Sequence, residues 1–170
     1  MQRLYFMRHG LSVHNKLGIF NGRTSSPLTE MGRQQVRKSA EAVKKLNIDK
    51  LVSSPSIRTL ESAQIIADII GYPTQKILVN DLFAERDFGM LENTVYLTQS
   101  VHDEIRGIET IDQIIKRAEK ALAWLNQLKA ENILVVSHAS LGRALRYVVS
   151  DNIPFDYPAP LKNAELASLI

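Results

Sequence analysis

The sequence predicts an α/β fold, a sheet covered by helices on both faces, and two observations carry that expectation. Short apolar runs of strand length at residues 4–7, 49–53, 76–79 and 133–136 alternate with longer stretches whose apolar residues recur at helical spacing. The 170 residues are enough to bury a sizeable core and too few for two ordinary domains, so residues 1–170 are expected to form a single one.

Leu4, Tyr5, Phe6 and Met7 form the first apolar run, which turns at once into Arg8, His9 and Gly10. A cation and an imidazole at the carboxyl end of a buried strand stand where open α/β sheets place their ligands. Gly10 is expected to let the backbone turn sharply and approach a bound group. Residues 16–27 read as a loop, after which Thr29 caps a helix with Glu30 in its first turn. Gly32, Val36, Ala40 and Val43 mark the buried face of that helix, and Lys44 and Lys45 close it. The second strand leads into Ser53-Ser54-Pro55-Ser56, a turn and cap, and then a helix over 57–70 that stops at Gly71 and Pro73. Ala63, Ile66, Ala67 and Ile70 give this helix a core face, and Ile65 and Ile69 make it apolar on a second side. After the third strand, residues 82–92 read as a short helical turn followed by loop, and 93–107 as surface loop. Ile111, Ile114, Ile115, Ala118, Leu122 and Leu125 predict a helix over 109–128. The fourth strand runs into Ser137-His138-Ala139-Ser140 and a helix through Leu145 and Val149. Pro154, Pro158 and Pro160 then make an extended connection to a last strand at 165–169.

Composition narrows the class. Hydrophobic residues at 45% and charged residues at 23% are the profile of a soluble globular protein. The absence of cysteine excludes disulfides and thiolate metal sites. No apolar segment resembles a signal peptide or reaches bilayer length, so a cytoplasmic protein without a membrane partner is expected. The formal charge of +3 comes from Lys and Arg interleaved with Glu and Asp, without a basic block or aromatic stacking motif. A nucleic-acid partner is therefore not expected, whereas a modest positive field would draw in an anionic phosphate ester.

Three strand ends carry polar groups of one kind. Arg8 and His9 follow the first strand, Arg58 lies just inside the helix after the second, and His138 follows the fourth. In a parallel sheet these ends share one edge, so the four side chains can converge. The helix N-termini near Ile57 and Ala139 would add amide groups and positive dipole ends. Such a cluster is an anion site, and two guanidinium groups suit phosphoryl oxygens. A neutral imidazole beside a bound phosphate can also attack it, splitting one hard transfer into two easier ones. Fixed cations can stabilise the phosphoryl oxygens in place of a metal, and no spacing of His, Asp and Glu calls for one. The leaving alkoxide needs a proton from a carboxylic acid. Glu85, between a strand and a loop, is the best candidate, with Asp87 and Glu92 close by.

Over nearly its whole length the chain resembles the histidine phosphatase superfamily, which includes the cofactor-dependent phosphoglycerate mutases. The resemblance rests on an ordered set of pieces. These are Met7-Arg8-His9-Gly10 with Asn15, Pro27-Leu28-Thr29 with Gly32, and Ser53-Ser54-Pro55 with Arg58 and Ala63. They continue with Leu82, Glu85 and Phe88-Gly89, Gly107 with Glu109, Val136-Ser137-His138, and Asn163-Ala164. The resemblance implies a three-layer α/β/α sandwich with a mostly parallel central sheet, phosphoglycerate mutase-like. It also implies a phosphatase, without metal or cofactor, that hydrolyses phosphomonoesters through a phosphohistidine intermediate. His9 would be the phosphorylated nucleophile, and Arg8, Arg58 and His138 the phosphate pocket. Asn15 and Ala139 would add substrate contacts, and Glu85 would donate the proton and later activate water. Ala139 and Asn93 stand where many members have glycine. The segment after Asn93, which in the family helps to build a lid, is short, so an open site is expected.

Other readings stay open at this level. A phosphoglycerate mutase primed by 2,3-bisphosphoglycerate would return the phosphoryl group to a second hydroxyl. A protein phosphohistidine phosphatase fits the compact length. A non-catalytic phospholigand-binding module would have no need of His9, His138 and Glu85 together. Either histidine alone could be structural, and Asn15 could merely shape its loop. His14 and His102 read as solvent or rim residues, Arg23 and Arg86 as rim or surface charge, and Trp124 as packing. A dimer edge near the C-terminal strand is also open.

Overall fold

The computed structural model describes residues 2–96, 104–150, 154–155 and 160–170. Its strands are β1 (Arg3–Arg8), β2 (Lys50–Ser53), β3 (Leu78–Val79), β4 (Asn132–Ser137) and β5 (Leu166–Ser168). The helices are α1 (Val13–Leu17), α2 (Glu30–Val43), α3 (Ile57–Ile70), α4 (Ile111–Asn126) and α5 (Ala139–Val149). One five-stranded sheet has the order β3-β2-β4-β1-β5. β5 alone runs antiparallel, against β1, so the sheet is mixed and mostly parallel.

Side-chain alternation along the strands divides the core in two. Leu4, Phe6, Val52, Ile133 and Val135 face α4 and α5, where they meet Ile114, Ala118, Leu125 and Leu141. Met7, Leu51, Leu134 and Val136 face α2 and α3, where they meet Val36, Ala40, Ile66 and Ala67. Every residue of β4 is buried, as a central parallel strand covered on both faces requires. Phe6 is wholly buried and lies directly under Gly142 of α5; its truncation to alanine would cost about 3–5 kcal/mol.

The local signals act largely as read. Thr29 Oγ1 accepts the Gly32 N–H at 3.0 Å, and α3 ends at Gly71 with φ 73°. Several elements depart from expectation. A short α1, capped by Ser12 with Asn15 reciprocating, takes in Lys16 and Leu17 of the region read as loop. The third strand keeps only Leu78–Val79 after a 3-10 turn at Thr74–Lys76. α4 begins at Ile111 on a capping box of Thr110 and Gln113, which leaves Glu109 outside the helix. Residues 93–96 are pinned rather than loose: Asn93 N–H donates to Phe20 O and Tyr96 N–H to Gly18 O, both at 2.9 Å. Asn93 has φ 66°, a left-handed conformation that asparagine tolerates and that accounts for its standing in a glycine's place. Residues 97–103 of the expected loop, with His102, and Pro158 of the expected connection lie outside the described residues.

Candidate active site

Strand register builds the site. Arg8 pairs with Ser137 and Ser53 with Val136. The ladder continues one step further, with His9 N–H donating to Ser137 O at 3.0 Å and Ser54 N–H to Val136 O at 3.1 Å. The residues just past β1, β2 and β4, namely His9, Ser54 and His138, therefore stand side by side at one edge.

Arg58, on the first turn of α3, ties them together. It is completely buried, and its Nη2 donates to Gly22 O at 2.7 Å and its Nη1 to Thr24 O at 3.0 Å. Its Nε lies 3.3 Å from His9 Nε2 and its Nη2 lies 3.1 Å from His138 Nδ1. Because a guanidinium only donates, both of those ring nitrogens are acceptors. The other nitrogens then carry the protons: His9 Nδ1 donates to Gly10 O at 2.7 Å, and His138 Nε2 to Ser54 Oγ at 2.8 Å. These tautomers follow from the partners. The two rings stand edge to face, 5.2 Å apart. Burial, then the charge of Arg58, holds both histidines well below the usual imidazole pKa of 6.5, so both are neutral at neutral pH. Burial also lowers Arg58 to about 10, against the pull of Glu85 and Glu92, and it remains a cation.

Arg8 donates from Nη1 to Leu161 O at 2.8 Å. Its Nε–H is buried without a hydrogen-bond partner among the described residues, a donor that an anion's oxygen would satisfy. Glu85 is buried opposite these cations, its Oε1 accepting from Arg86 N–H at 2.8 Å and Ser140 N–H at 3.2 Å. The N-terminus of α5 thus already receives a carboxylate. The segment carrying Glu85 is held from α4. Arg117 grips Glu109 through two bonds of 2.7 Å and donates to the carbonyls of Leu82 at 2.9 Å, Ala84 at 2.7 Å and Glu85 at 3.3 Å. Glu109 in turn accepts from Asp87 N–H at 3.2 Å and, through its carbonyl, from Arg86 Nε at 2.6 Å.

Arg8, His9, Asn15, Arg58, Glu85 and Ala139 line one pocket of about 150 Å³, with Ile19, Phe20, Phe88 and Tyr96 as its apolar wall. His138 does not line it; the ring is wholly buried and touches the site through Arg58. Asn15 has its Oδ1 engaged by Asn163 Nδ2 at 3.3 Å, so the loop-shaping role is real, and the side chain also reaches the pocket. Gly10 corrects the expectation attached to it. Any Cβ there would overlap the Gly32 carbonyl and Val36, so Gly10 permits close packing of α2 against the loop, not approach of a ligand. Arg86 is buried and so is not surface charge, and His14 is half-buried with its Nδ1 covered. Arg23 is half exposed, and Trp124 packs edge to face on Phe83. Among the described residues, no cluster of His, Asp and Glu could hold a metal, and no helix is long and apolar enough to cross a membrane.

The model of the histidine phosphatase superfamily (branch 1) matches residues 4–169. The chain belongs to this superfamily. Its relatives include the uncharacterized phosphatase PhoE of Bacillus subtilis, 31% identical over 99% of this chain and 88% of that protein. A probable phosphoglycerate mutase GpmB of an Enterobacter species is 32% identical over 88% of this chain and 74% of that protein. A solved mycobacterial glucosyl-3-phosphoglycerate phosphatase complexed with VO3 shares the fold, with a TM-score of 0.86 at 20% identity over 99% of this chain and 92% of that one. The chain is thus a hydrolase of the histidine phosphatase type with a phosphoglycerate mutase-like fold.

Within that histidine phosphatase frame, sequence reasoning missed several supports. Ser54, read as part of a turn and of the resemblance but given no role, anchors His138, and its place after β2 was the available signal. Asn163 Nδ2 also donates to His9 O at 3.2 Å. The carbonyls of Gly22 and Thr24 and the Arg117–Glu109 pair left no trace in sequence pattern.

Proposed function

We propose that the protein hydrolyses small phosphomonoesters through a phosphohistidine formed on His9, without a metal ion. The observation that carries this reading is the single buried arrangement in which His9 presents an unprotonated Nε2 beside the Arg58 guanidinium, with Glu85 on the same pocket. In the first step Nε2 attacks phosphorus, the bond from phosphorus to the ester oxygen breaks, and Glu85, carrying a proton, gives it to the leaving oxygen. In the second, Glu85 takes a proton from water, the resulting hydroxide attacks phosphorus, and the bond to Nε2 breaks to release phosphate. Arg8 and Arg58 supply fixed positive charge for the phosphoryl oxygens throughout. His138, neutral and tied to Ser54, keeps the Arg58 guanidinium oriented. Asn15 and Ala139 complete the pocket wall. The cytoplasmic setting expected from the sequence belongs to the same reading.

Return of the phosphoryl group to a second hydroxyl would use the same residues, and the relative named as a mutase motivates including it in the test. A screen in EDTA should combine an aryl phosphate, sugar phosphates and 3-phosphoglycerate, with His9→Ala as control. Phosphate release that survives EDTA and disappears in the variant is expected. Isomerisation of 3-phosphoglycerate as fast as its hydrolysis would replace the phosphatase with a mutase, and full activity of His9→Ala would sink both.

A further inference from the structure

The catalytic pocket, as the described residues line it, encloses about 150 Å³. Sites that take a whole drug-sized ligand run to roughly 300–1,000 Å³, so an alcohol portion of more than a few atoms extends beyond it. A second cavity of about 590 Å³ opens beside the pocket, against α4. The two share a wall: Gly22 and Phe88 line the pocket, and their chain neighbours Arg23 and Asp87 line the cavity. An alcohol extending over that wall meets more cations than anions.

Arg23, Lys116, Arg117 and Lys120 face the cavity together with Asp87 and Glu109. Glu109 is already committed to Arg117 through two 2.7 Å bonds. Asp87 approaches Arg23 only to 3.8 Å between half-exposed side chains, a loose surface contact that solvent largely screens. Lys116 and Lys120 lie one turn apart on α4 and so share a face. Both are exposed, and neither makes an ion pair among the described residues. Two lysines with no carboxylate of their own, beside an arginine with a loose one, leave positive charge uncompensated along the path of the leaving group.

We propose that this cavity is a subsite for a second anionic group, a carboxylate or a second phosphate, carried by the alcohol portion of the substrate. Lys116, Lys120 and Arg23 are its binding groups. The proposal rests on the phosphatase reading above and narrows it to doubly anionic esters. Ammonium groups on flexible stems accept either anion without demanding a fixed fork geometry, and their attraction weakens as salt screens it.

The test measures kcat/KM for n-alkyl phosphates, ω-carboxyalkyl phosphates and α,ω-alkanediol bisphosphates of matched, increasing length. The parent protein is compared with Lys116→Gln/Lys120→Gln and with the charge-reversed Lys116→Glu/Lys120→Glu. The quantity read is the preference for a charged over a plain ester of equal length. The parent should prefer the charged ester at one or more lengths, less so at high salt. That preference should fall about fivefold in the glutamine variant, given two exposed charge contacts, and reverse in the glutamate variant. The carboxylate and bisphosphate arms show which anion fits. A parent that hydrolyses plain esters without preferring charged ones, or a preference unmoved by either variant, overturns the subsite alone. A parent inert toward every ester, plain or charged, overturns the phosphatase reading and the subsite with it.

Discussion

Arg58 and Glu85 face the same pocket, yet they are held there by different means. Arg58 projects from a long helix that follows directly on β2, and its guanidinium is gripped by the carbonyls of Gly22 and Thr24 and by both imidazoles while still lining the pocket. Glu85 sits in a stretch with no strand and only a 3-10 turn, Asp81–Phe83, before it. That stretch is held mainly from α4 by the largely buried Arg117–Glu109 pair, whose side chains are 13% and 11% exposed, with Ser137 Oγ donating to Phe83 O at 2.7 Å and Ser140 N–H to Glu85 as further ties. The charge-bearing floor of the site is thus part of the sheet architecture, while the wall carrying Glu85 depends mainly on a side-chain clamp from α4. A fixed floor suits charge stabilisation, because preorganised cations need no rearrangement as the transition state forms.

Substitutions should separate the two regions. His9→Ala is expected to lower kcat/KM at least about 10³-fold on every ester while the circular dichroism spectrum stays that of the parent, since loss of a nucleophile leaves only binding and electrostatics. Glu85→Gln should cost about 10²–10⁴-fold on alkyl phosphates, the usual range for a lost general acid. In kcat/KM, which reports the first transfer and not the shared attack of water, the loss on an aryl phosphate, whose leaving group needs no proton, should be far smaller. Equal losses on both classes would place the acid elsewhere. Arg58→Lys should cost about 10²–10³-fold and do so alike for aryl and alkyl esters, because the floor acts on the phosphoryl group and not on the leaving oxygen.

Arg117→Met probes the clamp itself. Breaking a buried pair from one side typically costs about 3–5 kcal/mol, which a urea titration will read. In the fraction that stays folded, the activity loss should follow the leaving-group pattern of Glu85→Gln and not that of Arg58→Lys. A loss shared equally by all esters would mean that the clamp supports the floor as well.

The smallest expected effect concerns pH. The folded state keeps His9 and His138 neutral below the pH at which an unfolded chain protonates them. Well above about pH 6.5 the two states bind equal numbers of protons at these sites and stability is full. As pH falls below that value the unfolded chain gains protons first, and stability drops by up to about 1.4 kcal/mol per histidine per pH unit until the folded-state pKa is reached. Urea midpoints for the parent and for His138→Asn should therefore converge on acidification. Parallel curves would show that His138 titrates normally in the fold.

The same contrast governs what could be read from the sequence. The strands, the two-sided core and the meeting of Arg8, His9, Arg58 and His138 were legible, because apolar runs of strand length and the shared edge of parallel strand ends are local or topological rules. Glu85 was visible as a chemical type at a plausible place. Its clamp was not, since Arg117 lies on the polar face of an amphipathic helix and its partner carbonyls are remote in the chain. Ser54 looked like a turn residue because its nearest sequence neighbours are a serine and a proline, and only the β2–β4 register sets it against His138. Gly10 was misread for a similar reason: the backbone that crowds it belongs to Gly32, on a different element.

The central claim is that the phosphoryl group passes through His9. The most direct measurement is rapid mixing of enzyme with a phosphate-labelled aryl ester in EDTA, followed by alkaline quench and peptide mass spectrometry. The account predicts a phosphate that survives base, is lost in acid, and maps to the peptide containing His9, with no label in His9→Ala. A label on another residue, or steady turnover in EDTA with no labelled protein at any time, would contradict it.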